Sequence, residues 1–294
     1  MPFFKRSDQI SLWYLDEGPQ YGPVILLVHG LTCDVHDWSW QAPFLLSLGY
    51  RTISLDVRGH GRSSAPTPTP NITSWPGPDA SPSIIDYYPQ TCAYDAAALL
   101  DHLSIKSAIL IGHSQGDLIT YHLATIRPDL VRALVGIEGI YRWDNAMREA
   151  NAWFFAQPDK VVENMVAFFG YTYPPDTPTF MKAWHARRAR EMDEEVLFAL
   201  AYGGWGDPEF GLGRTEVAVK TWSGNLKCPH LVVGGSEEAV HVDRGVLPRG
   251  SELDEIVLIE GKGHWLHQAD SERFNEVLKA WLGKIGALPE TTEA

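Results

Sequence analysis

Cysteine, positive charge and long apolar runs are all scarce in this chain of 294 residues. Its three cysteines, Cys33, Cys92 and Cys228, are an odd number and lie far apart in the sequence. They suit neither a disulfide framework nor a metal clip, because both need cysteines in even number or at close spacing. We therefore expect a reduced, cytoplasmic protein.

Basic residues are outnumbered by acidic ones, 24 against 37, so the formal net charge is −13. A chain of that charge repels phosphate backbones and anionic lipid, which argues against nucleic acid and membrane surfaces as partners. The first twenty residues lack the apolar segment of a secretory signal, and no window is apolar for long enough to span a membrane. Neither metal-ligand spacing nor a nucleotide fingerprint is present, so we expect no metal and no cofactor.

Short apolar runs alternate with helical patterns along most of the chain. The apolar runs cover residues 9–16, 23–30, 50–56, 107–114, 131–138, 228–235 and 254–261, and helical spacing covers 38–48, 91–103, 115–126 and 270–284. This alternation predicts an α/β fold with a doubly wound, mostly parallel sheet. In such sheets the active site lies beyond the carboxyl ends of the strands.

Two segments interrupt the alternation. Residues 63–90 contain seven of the twenty prolines, which predicts a long surface loop. Residues 140–222 separate two strands and look largely helical, so we expect a helical cap inserted into a core of residues 1–139 and 223–294. Sixteen of the 33 aromatic residues lie between positions 141 and 222, which indicates a pocket with flat apolar walls.

The pattern G-x-S-x-G, formed by Gly112, Ser114 and Gly116, lies where an apolar run gives way to a helix. A serine on so sharp a turn needs small neighbours two residues away on either side, because the strand and helix backbones nearly touch there. The turn lifts the hydroxyl clear of the sheet at the positive end of the helix. Ser114 is therefore the predicted nucleophile.

A serine nucleophile needs a base and two donors for the oxyanion that it forms. His264 is the candidate base, because it lies in a glycine-flanked loop after the last apolar run, where its ring is free to turn inward. Gln115 follows the serine and supplies one backbone N–H. Leu31 follows the apolar run 23–30 and supplies the other.

Four motifs together resemble the α/β-hydrolase superfamily. They are HGLTCDVHDW at 29–38, LDVRGHGRS at 55–63, IGHSQGD at 111–117 and GKGHW at 261–265. The resemblance implies an α/β-hydrolase fold, acyl chemistry and a triad in the chain order serine, acid, histidine. It argues against dehalogenase and epoxide hydrolase activity, because members of this fold with those activities attack with aspartate.

The resemblance leaves two candidates for the triad acid. Glu238 follows by three residues the glycine that ends the penultimate strand, where such hydrolases usually place their carboxylate. Glu138 ends the apolar run 131–138, where a minority place it, among them haloalkane dehalogenases and the fungal lactonases that open zearalenone-type macrolides. Either carboxylate could reach the far ring nitrogen of His264, and we favour Glu238 slightly.

Four side chains are candidates for contact with the substrate. Trp38 follows the oxyanion turn, whereas Trp143 and Trp184 belong to the aromatic segment. Asp117 falls in the first turn of a helix, where it either stabilises the helix terminus or projects toward the pocket and positions a polar group.

The sequence thus predicts a serine hydrolase with a Ser-His-Glu triad that cleaves a bulky, apolar ester or lactone through an acyl-enzyme. Two alternatives stay open. The same triad serves lyases, cyclases and C–C bond hydrolases, and some members of the fold bind ligands without catalysis. The expected partner is a small apolar molecule. The oligomeric state is left open, with a homodimer as one alternative.

Overall fold

The computed structural model describes residues 3–247 and 250–289 and contains one eight-stranded sheet within them. The strands are β1 Phe3–Lys5, β2 Ser11–Glu17, β3 Val24–Val28, β4 Arg51–Leu55, β5 Ala108–His113, β6 Val131–Ile137, β7 His230–Gly234 and β8 Glu255–Leu258. Their spatial order is β1-β2-β4-β3-β5-β6-β7-β8. The β1–β2 and β2–β4 pairs are antiparallel and the other pairs are parallel, which confirms the predicted fold class.

Helices pack around this sheet. The α-helices within the described residues are α1 Gln41–Ser47, α2 Pro89–His102, α3 Gln115–Ile126, α4 Asn145–Ala150, α5 Ala152–Ala156, α6 Val161–Thr172, α7 Thr179–Glu191, α8 Glu194–Ala201, α9 Thr215–Trp222, α10 Glu237–Val246, α11 Leu266–Ala269 and α12 Ser271–Lys284. Shorter helical turns cover Val35–Trp38, Pro128–Leu130, Pro158–Lys160 and Tyr202–Gly206. None of the helices described has the length and apolarity that crossing a lipid bilayer requires.

Hydrophobic cores lie on both faces of the sheet, because successive side chains of a strand point to opposite faces. In β5, Leu110 packs in one core, whereas Ile109 and Ile111 pack in the other. Strands buried on both faces read as continuous apolar runs, which is why β3 and β5 stand out in the sequence. The parallel strands β3, β5, β6 and β7 all end at the same edge.

The insertion, residues 140–222, lies between β6 and β7 and contains α4–α9 with no strand among its described residues. Buried side chains of these helices, such as Phe154, Met165 and Leu200, join the core that lies on the α3 side of the sheet. Residues 63–88 form no regular secondary structure before α2 begins at Pro89, as the prolines predict. The limits of the cap at 140 and 222 stay a prediction.

The sequence patterns did not predict β1 and α10. α10 begins beside the strand end at Gly235, and the Ser236 hydroxyl caps it by accepting a hydrogen bond from the N–H of Ala239 at 3.1 Å. Because α10 starts there, Glu238 belongs to a helix and not to a loop. This placement decides where its carboxylate points.

Candidate active site

Ser114 occupies the tight turn between β5 and α3, with φ 56° and ψ −114°. A Cβ at Gly112 would lie 2.6 Å from the carbonyl carbon of Gly116, and a Cβ at Gly116 would overlap the carbonyl oxygen of Val28. Only glycine fits at either position, which explains the spacing of the motif. The N–H of Ser114 donates to the carbonyl of Ile137 at 2.9 Å and ties the turn to β6.

His264 and Glu138 meet above the ends of β6 and β7. The Nδ1 of His264 lies 3.5 Å from Oε2 of Glu138, and both side chains are buried. The N–H of Gly235 donates to the other carboxylate oxygen at 2.5 Å, and Nη2 of Arg142 lies 3.2 Å from Oε2. Glu138 has φ 51°, and this left-handed backbone conformation directs its carboxylate toward the loop that carries His264.

These contacts fix the charges of the pair. Burial alone would raise the pKa of Glu138, but the hydrogen bond from His264 and the charge of Arg142 outweigh it and hold that pKa at about 2. Burial lowers the pKa of His264 below its ordinary value of 6.5, and Glu138 opposes only part of this effect. At neutral pH the pair is therefore a carboxylate beside a neutral imidazole, as a general base requires.

Glu238, the favoured candidate for the acid, is not in contact with His264. Its side chain is exposed in the first turn of α10, and the described contacts include no hydrogen bond or ion pair between the two residues. It lines a groove beside His264 that Glu138 also lines. The preference for Glu238 as the neighbour of His264 is wrong, because α10 carries it outward while the left-handed Glu138 turns inward.

Ser114 and His264 line the same cavity between the sheet edge and the insertion. Apart from these two and His113, the lining residues described are apolar or aromatic: Leu31, Ile140, Trp143, Phe154, Phe155, Met165, Phe168, Phe169, Ala201, Trp205 and Trp265. Most of these come from the insertion. No aspartate, glutamate, lysine or arginine is among the described lining residues, so the walls of the cavity suit a largely apolar ligand.

The candidate oxyanion donors are the backbone N–H groups of Leu31 and Gln115. Leu31 directly follows the predicted run 23–30 and lines the cavity. Gln115 is the first residue of α3, so its N–H has no partner within the helix and lies at the positive end of the helix dipole. Both residues are buried, and a backbone donor in a buried site is already oriented before the reaction.

The three tryptophans predicted to bind substrate have different positions. Trp143 lines the cavity. Trp38 is completely buried in the core with Leu45 and Phe274, because the short helix Val35–Trp38 turns its indole there. Trp184 is 45% exposed on α7, packs against other aromatic rings at the surface and is absent from the cavity lining. Of these three, Trp143 alone is among the described residues that line the cavity, and contact with substrate stays a prediction.

Asp117 lies under the end of β6. Its Oδ1 accepts a hydrogen bond from the N–H of Ile137 at 3.3 Å, and no helix N–H among the described contacts donates to it. Burial raises its pKa well above the ordinary value. Its side chain is absent from the described lining of the cavity and does not cap the helix, so neither predicted role agrees with its position.

Sequence reasoning missed a second histidine. His113 precedes the nucleophile and lines the cavity, with its Nδ1 2.9 Å from Oδ2 of Asp37 and its Nε2 3.0 Å from the carbonyl oxygen of His264. Cys33, Asp37 and His113 offer possible ligand atoms within 4.8 Å of one another. Both ring nitrogens of His113 already have hydrogen-bond partners, which favours a hydrogen-bonded cluster instead.

A family model for the alpha/beta hydrolase fold matches residues 23–266. The chain therefore belongs to the α/β-hydrolase fold family. Its mostly parallel sheet, with a nucleophile-type turn after β5, agrees with that assignment.

Similarity to individual proteins is more distant. An epoxide hydrolase of Caballeronia sordidicola is 38% identical over 131 residues, which is 45% of this chain but only 35% of that protein. A hydrolase of (E)-2-((N-methylformamido)methylene)succinate from Acinetobacter baylyi is 23% identical over 94% of this chain and 95% of its own. The structure of an enol-lactonase from Burkholderia xenovorans LB400 superposes with a TM-score of 0.72 at 17% identity, over 96% of this chain and all of that one.

Proposed function

We propose that this chain is a serine hydrolase that cleaves bulky, apolar carboxylic esters or lactones, with Ser114, His264 and Glu138 as its catalytic triad. The observation that carries the proposal is the cavity that Ser114 and His264 share, whose other walls are almost entirely apolar. The insertion, residues 140–222, then acts as a cap that shields the reaction from water. Cytoplasmic location stays a prediction from the sequence, and the oligomeric state stays open.

Acylation begins when His264 takes the proton of the Ser114 hydroxyl on Nε2, while its Nδ1–H donates to Glu138. The serine oxygen forms a bond to the substrate carbonyl carbon, and the carbonyl oxygen becomes an oxyanion held by the N–H groups of Leu31 and Gln115. When the tetrahedral intermediate collapses, the bond from carbon to the leaving oxygen breaks. His264 returns its proton to that oxygen, which gives an alcohol and an acyl-enzyme.

Deacylation repeats these steps with water. His264 takes a proton from a water molecule, whose oxygen attacks the acyl carbon and generates the second tetrahedral intermediate. The bond to the serine oxygen then breaks, and His264 returns the proton to Ser114. The product is a free acid, or a hydroxy acid when the substrate is a lactone.

The assignment of Glu138 as the acid depends on burial as well as on distance. A carboxylate that orients a histidine must be ionised and excluded from competing water, and the low pKa of buried Glu138 meets both needs. Glu238 does not meet the second need, because its side chain is exposed, and the described contacts include none between it and His264.

The substrate is proposed to be neutral. The Acinetobacter baylyi relative is named for a succinate, which carries two negative charges at neutral pH, and such a ligand needs cationic partners. No arginine or lysine is among the described residues that line the cavity here. Aromatic walls favour instead a flat or branched apolar acyl group or lactone ring.

A fluorophosphonate probe tests this proposal directly. We expect one covalent adduct, mapped to Ser114 by peptide mass spectrometry, and none in the Ser114→Ala variant. A series of p-nitrophenyl esters from acetate to decanoate and benzoate should give the highest kcat/KM with the larger apolar acyl groups. Incorporation of one oxygen from ¹⁸O-labelled water into the acid product identifies hydrolysis. Absence of the adduct, or fastest turnover of acetate, would contradict the proposal.

A further inference from the structure

A buried carboxylate–imidazole pair lies directly behind the loop of His264. The Nε2 of His113 is 3.0 Å from the carbonyl oxygen of His264, and its Nδ1 is 2.9 Å from Oδ2 of Asp37. The rings of His113 and His264 have centroids 4.8 Å apart. The pair therefore contacts the backbone and the ring of the proposed base without contacting Ser114 through a hydrogen bond.

Both partners of His113 are acceptors, and this fixes its protons. A backbone carbonyl oxygen can only accept a hydrogen bond. Burial would raise the pKa of Asp37, but the charge and the hydrogen bond of His113 outweigh it and hold that pKa well below the ordinary value, so Asp37 is a carboxylate and also only accepts. His113 must donate from both ring nitrogens to satisfy both partners, and an imidazole that does so carries a positive charge.

We propose that Asp37 and His113 act as a positioning pair for His264, in which a protonated His113 holds the His264 loop through its carbonyl and keeps a fixed positive charge beside its ring. The proposal rests on the role of His264 given above. In this arrangement Glu138 faces His264 on one side and the imidazolium faces it on the other. The two neighbours have opposite effects on the protonated form of His264.

The other groups around the pair do not change the sign of this charge. Burial lowers the pKa of His267 to about 4 and that of His185 to about 3, so both rings are neutral near pH 7. Burial also raises the pKa of the Cys33 thiol well above its ordinary value. Arg188, on α7, adds a second positive charge 3.9 Å from Oδ1 of Asp37.

The Asp37 carboxylate is held in place from a different element. The side-chain amide of Gln268, in α11, donates to Oδ1 of Asp37 at 2.5 Å. Because α11 directly follows the His264 loop, this bond and the one from His113 fasten both ends of the short segment between them. A loop held at two points by buried hydrogen bonds loses little further freedom when His264 takes up its proton.

The positive charge has a defined consequence for catalysis. It disfavours protonation of His264, in the same direction as burial, so His264 stays available as a base at lower pH than a free histidine would. Removal of the charge should therefore move the acid limb of the pH profile to higher pH. A purely structural role for His113 would lower kcat or stability and leave that limb where it is.

His113→Gln separates the charge from the hydrogen bond, because the glutamine amide can still donate to the His264 carbonyl. We expect the midpoint of the acid limb of kcat/KM to rise by about one pH unit. His122→Gln is the matched control, since His122 is a buried histidine of α3 that packs against Trp75 and Tyr94 and is absent from the described cavity lining. The control should keep the wild-type midpoint.

A second measurement needs neither activity nor a folded variant. Long-range ¹H–¹⁵N spectra of the wild-type protein labelled at histidine nitrogens should show one ring with both nitrogens protonated at pH 8. A spectrum with only neutral tautomers at pH 8, or an unshifted acid limb in folded His113→Gln, would overturn the proposal. Stoichiometric metal in the purified protein would do so as well, because a metal at Cys33, Asp37 and His113 would displace the ring proton.

The two proposals can fail separately. If the fluorophosphonate probe does not label Ser114 but the spectra show a doubly protonated ring, the serine mechanism is wrong and the charged pair stands. If Ser114 is labelled and the ring is neutral, the serine mechanism stands and the positioning pair is wrong.

Discussion

The two walls of the cavity are built in different ways. The sheet edge uses backbone geometry: of the five non-glycine residues with positive φ in the described chain, Thr32, Ser114 and Glu138 lie just beyond β3, β5 and β6. Such conformations cost about 1–3 kcal/mol each and persist only where surrounding contacts impose them. Within the described backbone of the insertion, residues 140–222, none occurs.

The insertion uses side-chain packing instead. It contributes the aromatic face of the cavity through helices whose rings contact one another edge to face, as Phe154 and Phe155 do at 5.2 Å. Packing of this kind determines the size and polarity of the cavity, but it does not hold any single atom at a defined position. We infer that the sheet edge determines the chemistry and the insertion determines which substrate enters.

The largest expected effect comes from the sheet edge. Ser114→Ala should lower kcat/KM for a preferred ester by about 10³-fold or more, because no other oxygen nucleophile among the described lining residues faces the cavity. Steady-state assays with enzyme freed of contaminating esterases measure this loss. The thermal midpoint should not fall, because the methyl group fits where the hydroxyl was. Residual activity above a few per cent would show that the chemistry lies elsewhere.

A matched pair of substitutions separates the two carboxylates. Glu138→Gln should lower kcat by about 10²–10⁴-fold, because the amide cannot stabilise the imidazolium that forms on His264. Glu238→Gln should stay within about twofold of the wild type, because its side chain is exposed and has no contact with that ring in the described structure. The kcat values of the two folded variants with one ester decide the matter. The reverse order of effects would restore Glu238 as the acid.

The insertion should control selectivity and leave the chemistry intact. Trp143→Leu removes part of the cavity wall, so kcat/KM for a bulky aryl ester should fall roughly tenfold while that for an acetate ester changes little. Trp184→Leu is the control, because this indole is 45% exposed and lies away from the cavity. Equal losses for both esters in Trp143→Leu would mean that the insertion also affects the chemical step.

Local patterns predicted the features that backbone geometry imposes. The continuous apolar runs predicted the ends of β3 and β5 to within two residues, and the glycine spacing predicted the turn at Ser114. His264 was found for the same reason, since the glycines beside it mark a loop that must turn. Each of these signals lies within ten residues of the feature that it predicts.

Features that depend on contacts between distant segments were left open between alternatives or were not predicted. The partner of His264 depends on whether a helix starts at Glu237, and the usual position in the family favoured Glu238. The contact between Asp37 and His113 joins residues 76 positions apart. An aromatic residue carries no local sign of which side it faces, so Trp38 in the core and Trp184 at the surface could not be told from Trp143 in the cavity.

The smallest expected effect is a shift in the pH dependence of kcat/KM. The sign of this shift tests how the charges of Glu138 and His113 act on His264. In the proposed mechanism the neutral form of His264 is the active one, and burial lowers its pKa below 6.5, so kcat/KM in the wild type should rise with pH along an acid limb centred below 6.5. Glu138 stabilises the protonated form, so its replacement by Gln removes a group that raises the pKa of His264. The limb of the residual activity in Glu138→Gln should therefore move to lower pH by about half a unit to one unit, opposite to the shift expected for His113→Gln.

Profiles from pH 4 to 9, with stability checked at each pH by circular dichroism, measure both shifts. If the two variants shift in the same direction, Glu138 and His113 do not act on His264 from opposite sides, and the assignment of charge at this edge of the sheet is wrong.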